Sequence, residues 1–164
     1  MPILSEYARR KKIDFFLKQI PKTAKILEIG CRTGWVKEYL LKNDRKDYTG
    51  IDLKPPADIV GNILEWRKLG LKEESYDVII GFEVIEHVDC IKDCYDLLKP
   101  GGMLMLTSPK PNTDWLSYLL ELLGLSQKRT SPHTNLIYFK DIPYFKQKII
   151  KTVGLIAQWA ICIK

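Results

Sequence analysis

The sequence predicts an α/β fold in which helices flank a doubly wound, mainly parallel sheet of six to seven strands on both faces. Short apolar runs alternate with stretches of helical spacing, which is typical of βαβ units. The run 75–81 contains consecutive apolar residues, as in parallel strands that helices cover on both faces. The run Lys25–Ile29 leads directly into a glycine-containing turn and then into a helix.

The first half of the chain divides clearly into these elements. Apolar residues at helical spacing predict a helix over Tyr7–Ile20, and Pro21 ends it. A helix over Trp35–Lys42 follows the glycine turn, and Pro55 and Pro56 interrupt the chain further on. The strands expected in this half are Lys25–Ile29, Tyr48–Asp52 and Asp58–Gly61.

The second half is predicted in the same way, although its last third is less regular. Two further strands are expected at 75–81 and Met103–Thr107, and the last one at Leu155–Ile163. The expected helices are Val88–Leu98, Trp115–Leu125 and Phe139–Val153, the last despite Pro143. The sequence contains no internal repeat or linker, so one domain is expected over residues 1–164.

Composition limits the class of protein. The chain has 164 residues, of which 46% are hydrophobic and 28% charged, as in ordinary globular proteins. No apolar run is long enough to span a bilayer, and residues 1–12 lack the features of a signal peptide. A cytoplasmic location is therefore expected. The four cysteines contain no CxxC pair, which favours reduced structural thiols.

The net charge of +6 allows an anionic partner without requiring one. The basic residues concentrate near the two ends of the chain, where they most simply form solvated helix faces. A nucleic-acid or anionic lipid partner is the less favoured interpretation.

The glycine turn points to one cofactor class and away from another. A dinucleotide-binding turn requires G-x-G-x-x-G, but Arg32 and Trp35 occupy the second and third glycine positions. The pattern that does fit is an acidic residue followed by two glycines, Glu28, Gly30 and Gly34. This pattern resembles the class I S-adenosylmethionine-dependent methyltransferases, whose fold is Rossmann-like.

The resemblance extends over residues 22–112 and rests on five motifs in order. After the glycine turn come Gly50–Asp52, 58–63, Tyr76–Val88 and the segment 97–102, which contains the "LKPGG" motif. The family normally adds an antiparallel seventh strand inserted between the fifth and sixth strands; in this chain that strand is expected to be absent or to be built from an unexpected segment. A missing strand would expose a sheet edge, which favours a homodimer or a partner subunit.

The resemblance implies S-adenosylmethionine as cofactor, with S-adenosylhomocysteine as product. It assigns Glu28, Gly30, Cys31 and Gly34 to the methionine part of the cofactor. It assigns Asp52 to the ribose hydroxyls, and it places Phe82 in the site after the fourth strand. Leu53, Asn62 and Ile63 are assigned to the adenine. Two residues depart from the family pattern: Arg32 stands at a usual glycine, and Asn62 stands at a usual acid.

Catalysis is expected at the carboxyl end of the fourth strand, where Glu83, Glu86 and His87 are the candidate bases. Some quinone-biosynthesis O-methyltransferases and small-RNA-end methyltransferases use a similar ExxEH as metal ligands. Many relatives carry the same Glu-His pair without binding a metal, so no metal is predicted here. His87 would then open the next helix and bond locally.

The acceptor is expected to be a small, hydrophobic or aromatic molecule. The expected segments are an N-terminal helix at 1–21 and a cofactor-binding core at 22–110. A substrate or lid segment at 111–137 and a C-terminal helix and strand at 138–164 follow. His133 in the substrate or lid segment could reach the active site or lie on a surface loop. Two alternatives stay open: a non-catalytic cofactor-binding domain that acts as a partner subunit, and a basic RNA-modifying methyltransferase.

Overall fold

The computed structural model describes residues 3–31, 33–123, 135–154 and 156–164. Within these residues, seven strands form one sheet in the order β3-β2-β1-β4-β5-β7-β6. The strands are β1 (Ile26–Ile29), β2 (Tyr48–Asp52), β3 (Ile59–Val60), β4 (Tyr76–Phe82), β5 (Leu98–Pro109), β6 (Gln147–Val153) and β7 (Ala157–Ile163). The α-helices are α1 (Ile3–Phe15), α2 (Trp35–Lys42), α3 (Ile91–Leu97) and α4 (Asp114–Leu122).

Both faces of the sheet are buried, as the fold prediction requires. Because side chains alternate along a strand, Ile79 of β4 packs with α3 on one face while Val78 and Ile80 face the other. On that second face the core includes Phe16 and Leu17 together with Val36 and Leu40 of α2. The strands β1 to β5 pair in parallel, and β7 is antiparallel to both of its neighbours.

The C-terminal prediction was wrong in one element. The segment expected to be the helix Phe139–Val153 instead forms a short 3-10 turn, Phe139–Asp141, and the edge strand β6. Pro143 lacks the backbone N–H that a helix needs, and the β-branched residues of β6 favour an extended backbone. The strand expected at Leu155–Ile163 is therefore the seventh, which lies antiparallel between β5 and β6.

The seventh strand is thus present rather than absent, because an unexpected segment, Gln147–Val153, also forms a strand. The homodimer or partner subunit was predicted from an absent seventh strand. The association therefore stays a prediction, without that support. None of the helices in the described part of the chain combines the length and the apolar character needed to cross a bilayer.

Other differences concern boundaries. Helix α1 ends at Phe15, and the 3-10 turn Leu17–Gln19 continues the chain to Pro21. Helix α3 begins at Ile91, after a loop that contains the predicted helix start at Val88. Strand β5 begins at Leu98, so the "LKPGG" motif lies inside the strand, where the register with β4 shifts. The four cysteines are buried and free.

Candidate functional site

The predicted site residues converge at the carboxyl ends of three neighbouring parallel strands. Ile29 of β1 pairs with Ile51 of β2 and with Gly81 of β4. Gly30, Asp52 and Phe82 directly follow these paired residues, so they lie at one edge of the sheet. This is where ligands bind in open α/β sheets, because the chain turns away there in opposite directions.

The glycine turn after β1 is closed by backbone hydrogen bonds. The Gly30 N–H donates to the Ile51 carbonyl at 2.8 Å, and the Gly34 N–H donates to the Cys31 carbonyl at 2.8 Å. Both glycines have left-handed backbones, with φ of +78° at Gly30 and +69° at Gly34. A Cβ on Gly30 would lie 2.6 Å from Val84 Cγ2. Only glycine fits this position, since it is both left-handed and in close contact with the loop after β4.

Gly34 immediately precedes α2, so the turn delivers the chain to a helix N-terminus. Arg32, the residue that departs from the family pattern in this turn, lies outside the described residues.

A buried acid lies beneath the turn. Glu28 of β1 is 5% exposed, and Tyr48 donates its hydroxyl proton to Glu28 Oε2. Burial raises the pKa of Glu28 to about 7, and the nearby Asp52 carboxylate adds to this shift. Burial, with the charges of Glu28 and Asp52, also raises the pKa of the Cys31 thiol to about 11. Cys31 is therefore a neutral thiol at physiological pH and not an activated nucleophile.

The end of β2 brings the predicted ribose and adenine residues together. Asp52 Oδ1 accepts a hydrogen bond from the Lys54 N–H at 3.1 Å, and the Leu53 side chain is 69% exposed. The Gly61 N–H donates to the Asp52 carbonyl at 2.9 Å, which places Asn62 beside this strand end.

Asn62 and Ile63 differ in how they are presented. The exposed Asn62 caps a 3-10 turn, since its Oδ1 accepts from the Leu64 N–H at 3.1 Å. Ile63 is only 4% exposed and packs in the hydrophobic core. The site opening therefore presents Asn62, while the Ile63 side chain points largely inward.

Glu83 follows β4 in an unusual backbone conformation. Its φ is +57°, a left-handed value that is uncommon for a residue with a side chain. Its Oε1 accepts hydrogen bonds from Lys12 Nζ at 2.9 Å and from Thr107 Oγ1 at 2.8 Å. The Glu83 side chain is 46% exposed, whereas that of Lys12 is 13% exposed. Helix α1 and strand β5 thus both hold the Glu83 carboxylate.

Glu86 lies behind Glu83 and, unlike Glu83, favours the protonated form. Glu86 is 1% exposed, and burial together with the Glu83 charge raises its pKa to about 9. For Glu83, removal of water would raise the pKa, but Lys12 and Thr107 outweigh this effect and lower it. The two side chains are hydrogen bonded to each other, so Glu86 is the neutral partner and donates the proton.

His87 is half-buried in the same loop, and its backbone N–H donates to the Val84 carbonyl at 2.9 Å. Among the described residues, no group of three or more His, Cys, Asp and Glu side chains is arranged to hold a metal ion. His133 lies outside the described residues.

Comparison with known proteins decides the class. The model of a family described as "Methyltransferase domain" matches residues 4–146. The chain belongs to this family. It is 30% identical over 126 residues to the mitochondrial ubiquinone biosynthesis O-methyltransferase of Rattus norvegicus, covering 63% of this chain and 35% of that protein. It is 28% identical over 131 residues to the ubiquinone biosynthesis O-methyltransferase of Coxiella burnetii, covering 69% of this chain and 55% of the relative.

The fold of this methyltransferase domain also has solved counterparts. An S-adenosylmethionine-dependent methyltransferase from Archaeoglobus fulgidus superposes with a TM-score of 0.69 at 15% identity, covering 96% of this chain and 94% of that one. The predicted class and the predicted Rossmann-like fold are thereby confirmed. The chain spans about a third to a little over half of the length of these two curated relatives.

Three side chains of the methyltransferase domain were not predicted as site residues: Lys12, Tyr48 and Thr107. Lys12 lies in the basic run that was interpreted as a solvated helix face, and its ammonium also lies 5.3 Å from the centre of the Phe82 ring. Phe82 in turn stacks on Trp35 at the start of α2, with ring centres 6.1 Å apart. Only the tertiary fold brings these side chains to the site, and no local motif marks them.

Proposed function

We propose that this domain is an S-adenosylmethionine-dependent methyltransferase that methylates a small, hydrophobic or aromatic acceptor. The observation that carries the proposal is the contact between Gly30 and the end of β2. The Gly30 N–H donates to the carbonyl of Ile51, and Asp52 comes next. A tight glycine turn and a carboxylate therefore lie side by side at the carboxyl edge of the sheet, where a methionine chain and a ribose can be held together.

The chain's own residues fit the two ends of such a cofactor. The left-handed turn at Gly30 and Gly34 opens the backbone toward the methionine part, with Cys31 between them. The acidic environment of Glu28 and Asp52 is suited to the ammonium and sulfonium charges. Asp52 would accept hydrogen bonds from the ribose hydroxyls, and Leu53 and Asn62 would contact the adenine. Ile63 supports this contact from the core, and Phe82 lines the site on the β4 side.

When bound, the cofactor supplies an activated methyl carbon, so the protein mainly has to orient the acceptor. A base is needed only when the acceptor must lose a proton. Glu83 is suited to this task, since its carboxylate is partly exposed and held by Lys12 and Thr107. Glu86 and His87 support Glu83 from the same loop. Glu83 would take the proton of the acceptor, which keeps the electron pair for its new bond to the methyl carbon; the bond from that carbon to sulfur would break, leaving S-adenosylhomocysteine.

The proposed acceptor class rests on α4 and its surroundings. Several large apolar side chains of the 111–123 segment are exposed, namely Trp115, Tyr118, Leu119, Leu122 and Leu123. We place the substrate segment at 111–137, beside a cofactor core at 22–110. The names of the relatives support an aromatic acceptor with an oxygen nucleophile. A single domain over 1–164 and a cytoplasmic location remain part of this proposal.

Binding of S-adenosylhomocysteine tests the proposal first. We expect millimolar S-adenosylhomocysteine to raise the melting temperature, since a ligand that binds only the folded state stabilises it. The variant Asp52→Ala should lose most of this shift. Asp96→Ala is the matched control, because Asp96 pairs with Lys92 on α3 and should leave the shift unchanged. No stabilisation of the wild-type protein would overturn the cofactor assignment.

Turnover is the second test. Transfer of a labelled methyl group to a panel of alkylated phenols and catechols should be measured beside a panel of small RNAs. Release of S-adenosylhomocysteine with a phenolic acceptor supports the proposed reaction. Binding of S-adenosylhomocysteine without turnover on either panel would favour the non-catalytic alternative, and turnover on RNA would favour the RNA-modifying one.

A further inference from the structure

The two glutamates after β4 form a pair, and the ammonium group of Lys12 contacts one of them directly. Lys12 Nζ lies 2.9 Å from Glu83 Oε1. Lys12 belongs to α1, 71 positions away in the chain, and its side chain is only 13% exposed. The contact is therefore not an ordinary surface pair: the ammonium is largely removed from water and committed to Glu83.

Other groups also face the pair, and Thr107, Ser108 and Asn135 among them are uncharged donors. From β5, Thr107 Oγ1 donates to Glu83 Oε1 at 2.8 Å, and Ser108 lies next to it and contacts Glu86. From the loop itself, His87 adjoins Glu86 in sequence. From the segment after α4, the Asn135 N–H donates to the Glu86 carbonyl, and its side-chain amide donates to the Ile85 carbonyl, both at 2.9 Å. None of these donors distinguishes the two carboxyl groups by charge.

Glu86 Oε2 is the buried side-chain atom that no donor reaches in the described part of the chain. A carboxylate oxygen in that position would be costly, because a buried charge needs a partner. A carboxylic acid whose proton faces Glu83 removes this cost. Two carboxyl groups in contact cannot both ionise readily, so one proton stays in the pair and a nearby cation decides where.

We propose that Lys12 is a positioning residue that keeps Glu83 ionised and leaves the proton of the pair on Glu86. This inference rests on the proposed function, in which Glu83 takes the proton of the acceptor. Glu86 is too deeply buried to reach an acceptor, whereas Glu83 is partly exposed. Helix α1, which lies outside the 22–110 core, therefore contributes Lys12 as the residue that sets the charge of Glu83.

The pairing also limits the acceptor. Glu83 Oε1 already accepts from Lys12 and Thr107, so the side of the carboxylate that remains can take one more donor. An acceptor that presents one O–H or N–H to Glu83 fits this arrangement. When the bond from the acceptor oxygen or nitrogen to hydrogen breaks, the proton would join Glu83 and the electron pair would stay on the acceptor for the new bond to the methyl carbon, whose bond to sulfur would break.

Carboxyl titration by NMR tests the inference without knowledge of the acceptor. The protein is labelled with ¹³C at the glutamate carboxyl carbons, and Glu83→Gln and Glu86→Gln assign the two signals. In Lys12→Met we expect the Glu83 signal to titrate at higher pH than in the wild-type protein. Lys12→Arg should restore the wild-type titration, since it restores the charge. Lys11→Met is the matched control, because Lys11 contacts the Tyr7 ring and not Glu83.

An unchanged Glu83 titration in Lys12→Met would overturn the inference, as would a Glu83 signal that is protonated at neutral pH in the wild-type protein. If Lys12→Met does not fold, Lys12→Arg and Glu86→Gln still test it. In Glu86→Gln the new side-chain amide can donate to Glu83 but holds no titrating proton. The transition at high pH that loss of the Glu86 proton causes in the wild-type protein should therefore disappear. Its persistence also overturns the inference. Binding of S-adenosylhomocysteine is measured on the same samples. Failure of that binding counts against the proposed function. A Glu83 titration other than the one expected counts only against the positioning role of Lys12.

Discussion

Tyr48 donates its hydroxyl proton to Glu28, and this bond joins two neighbouring parallel strands beneath the glycine turn. Glu28 is 5% exposed, so the phenol replaces water that the carboxylate has lost. Burial and the Glu28 charge raise the pKa of Tyr48, which keeps the phenol protonated as a donor. Glu28 is therefore a buried acid, and the hydrogen bond from Tyr48 stabilises its charged form against the effect of burial.

Removing this donor should destabilise the protein. In Tyr48→Phe the ring remains, including its contact with the Lys37 ammonium at 5.5 Å, but Glu28 loses its donor. We expect a loss of about 1–3 kcal/mol in the free energy of unfolding at pH 8, where Glu28 is charged. Urea denaturation measures it. Tyr7→Phe is the control, since Tyr7 is 59% exposed, and its stability should be unchanged. Equal stability of the two variants would contradict the role of the bond.

The pKa of Glu28 predicts a pH dependence of stability. The folded protein holds the Glu28 proton up to about pH 7, whereas the unfolded chain releases it near the ordinary value of 4.5. Between these pH values the unfolded state binds fewer protons, so the free energy of unfolding falls as pH rises. The fall amounts to about 3 kcal/mol and is complete above pH 7.

The variant Glu28→Gln isolates this effect, because it removes the titrating group and keeps an oxygen that accepts from Tyr48. Its stability should fall less steeply than that of the wild-type protein from pH 5 to pH 7.5. Glu86, with a pKa of about 9, adds a fall in the same direction that is common to both proteins. Parallel stability curves by urea denaturation would show that Glu28 does not titrate in this range.

The sequence contains enough local information to predict most of the fold. The strands β1, β2 and β4 are short apolar runs next to turns, with Gly30 directly after β1 and Asp52 at the end of β2. Strand β6 was missed because an apolar run with flanking lysines is compatible with helical spacing, and only its pairing with β7 decides for a strand. The sheet has seven strands because β6 adds an edge strand beside β7.

The residues proposed for the site differ in the same way in how far local sequence indicates them. Glu28, Asp52 and Glu83 belong to local motifs, so their positions at strand ends follow from the sequence. Lys12 and Thr107 lie 71 and 24 positions from Glu83, and their contacts depend on how α1 and β5 pack. No pattern in one sequence distinguishes Lys12 from the exposed Lys11 beside it.

Alanine at Gly30 should damage both stability and cofactor binding. Its φ of +78° is unfavourable for alanine, and the added Cβ would lie 2.6 Å from Val84 Cγ2. Gly70 is a close control, because it has a φ of +79° and no atom within 4 Å of an added Cβ. We expect Gly70→Ala to cost about 1–2 kcal/mol from the backbone alone, and Gly30→Ala to cost more.

Thermal unfolding and S-adenosylhomocysteine titration measure this difference. The double variant Gly30→Ala/Val84→Ala should recover part of the stability that Gly30→Ala loses, since it removes the colliding methyl group. Equal losses in Gly30→Ala and Gly70→Ala would mean that the loop after β4 gives way at no cost. The close contact between the turn and Val84 would then have no energetic significance.

Aspartate at position 62 should strengthen cofactor binding without changing stability. Asn62 caps the 3-10 turn through an oxygen that accepts from the Leu64 N–H at 3.1 Å, and aspartate caps equally well. A carboxylate accepts more strongly than an amide from the adenine amino group, because a charged acceptor makes a shorter and stronger bond. A gain of about 1 kcal/mol corresponds to a roughly fivefold lower Kd for S-adenosylhomocysteine.

Isothermal titration calorimetry of Asn62→Asp and Asn62→Ala separates capping from binding. Asn62→Ala removes both the cap and the adenine acceptor, so it should lose about 1 kcal/mol of stability and also bind the cofactor product more weakly. Repeating the Asn62→Asp titration with adenosine, which lacks the charged methionine part, shows whether the gain arises at the base. An unchanged Kd in Asn62→Asp would place the adenine away from residue 62, and the departure from the family's acid would then have no effect on affinity.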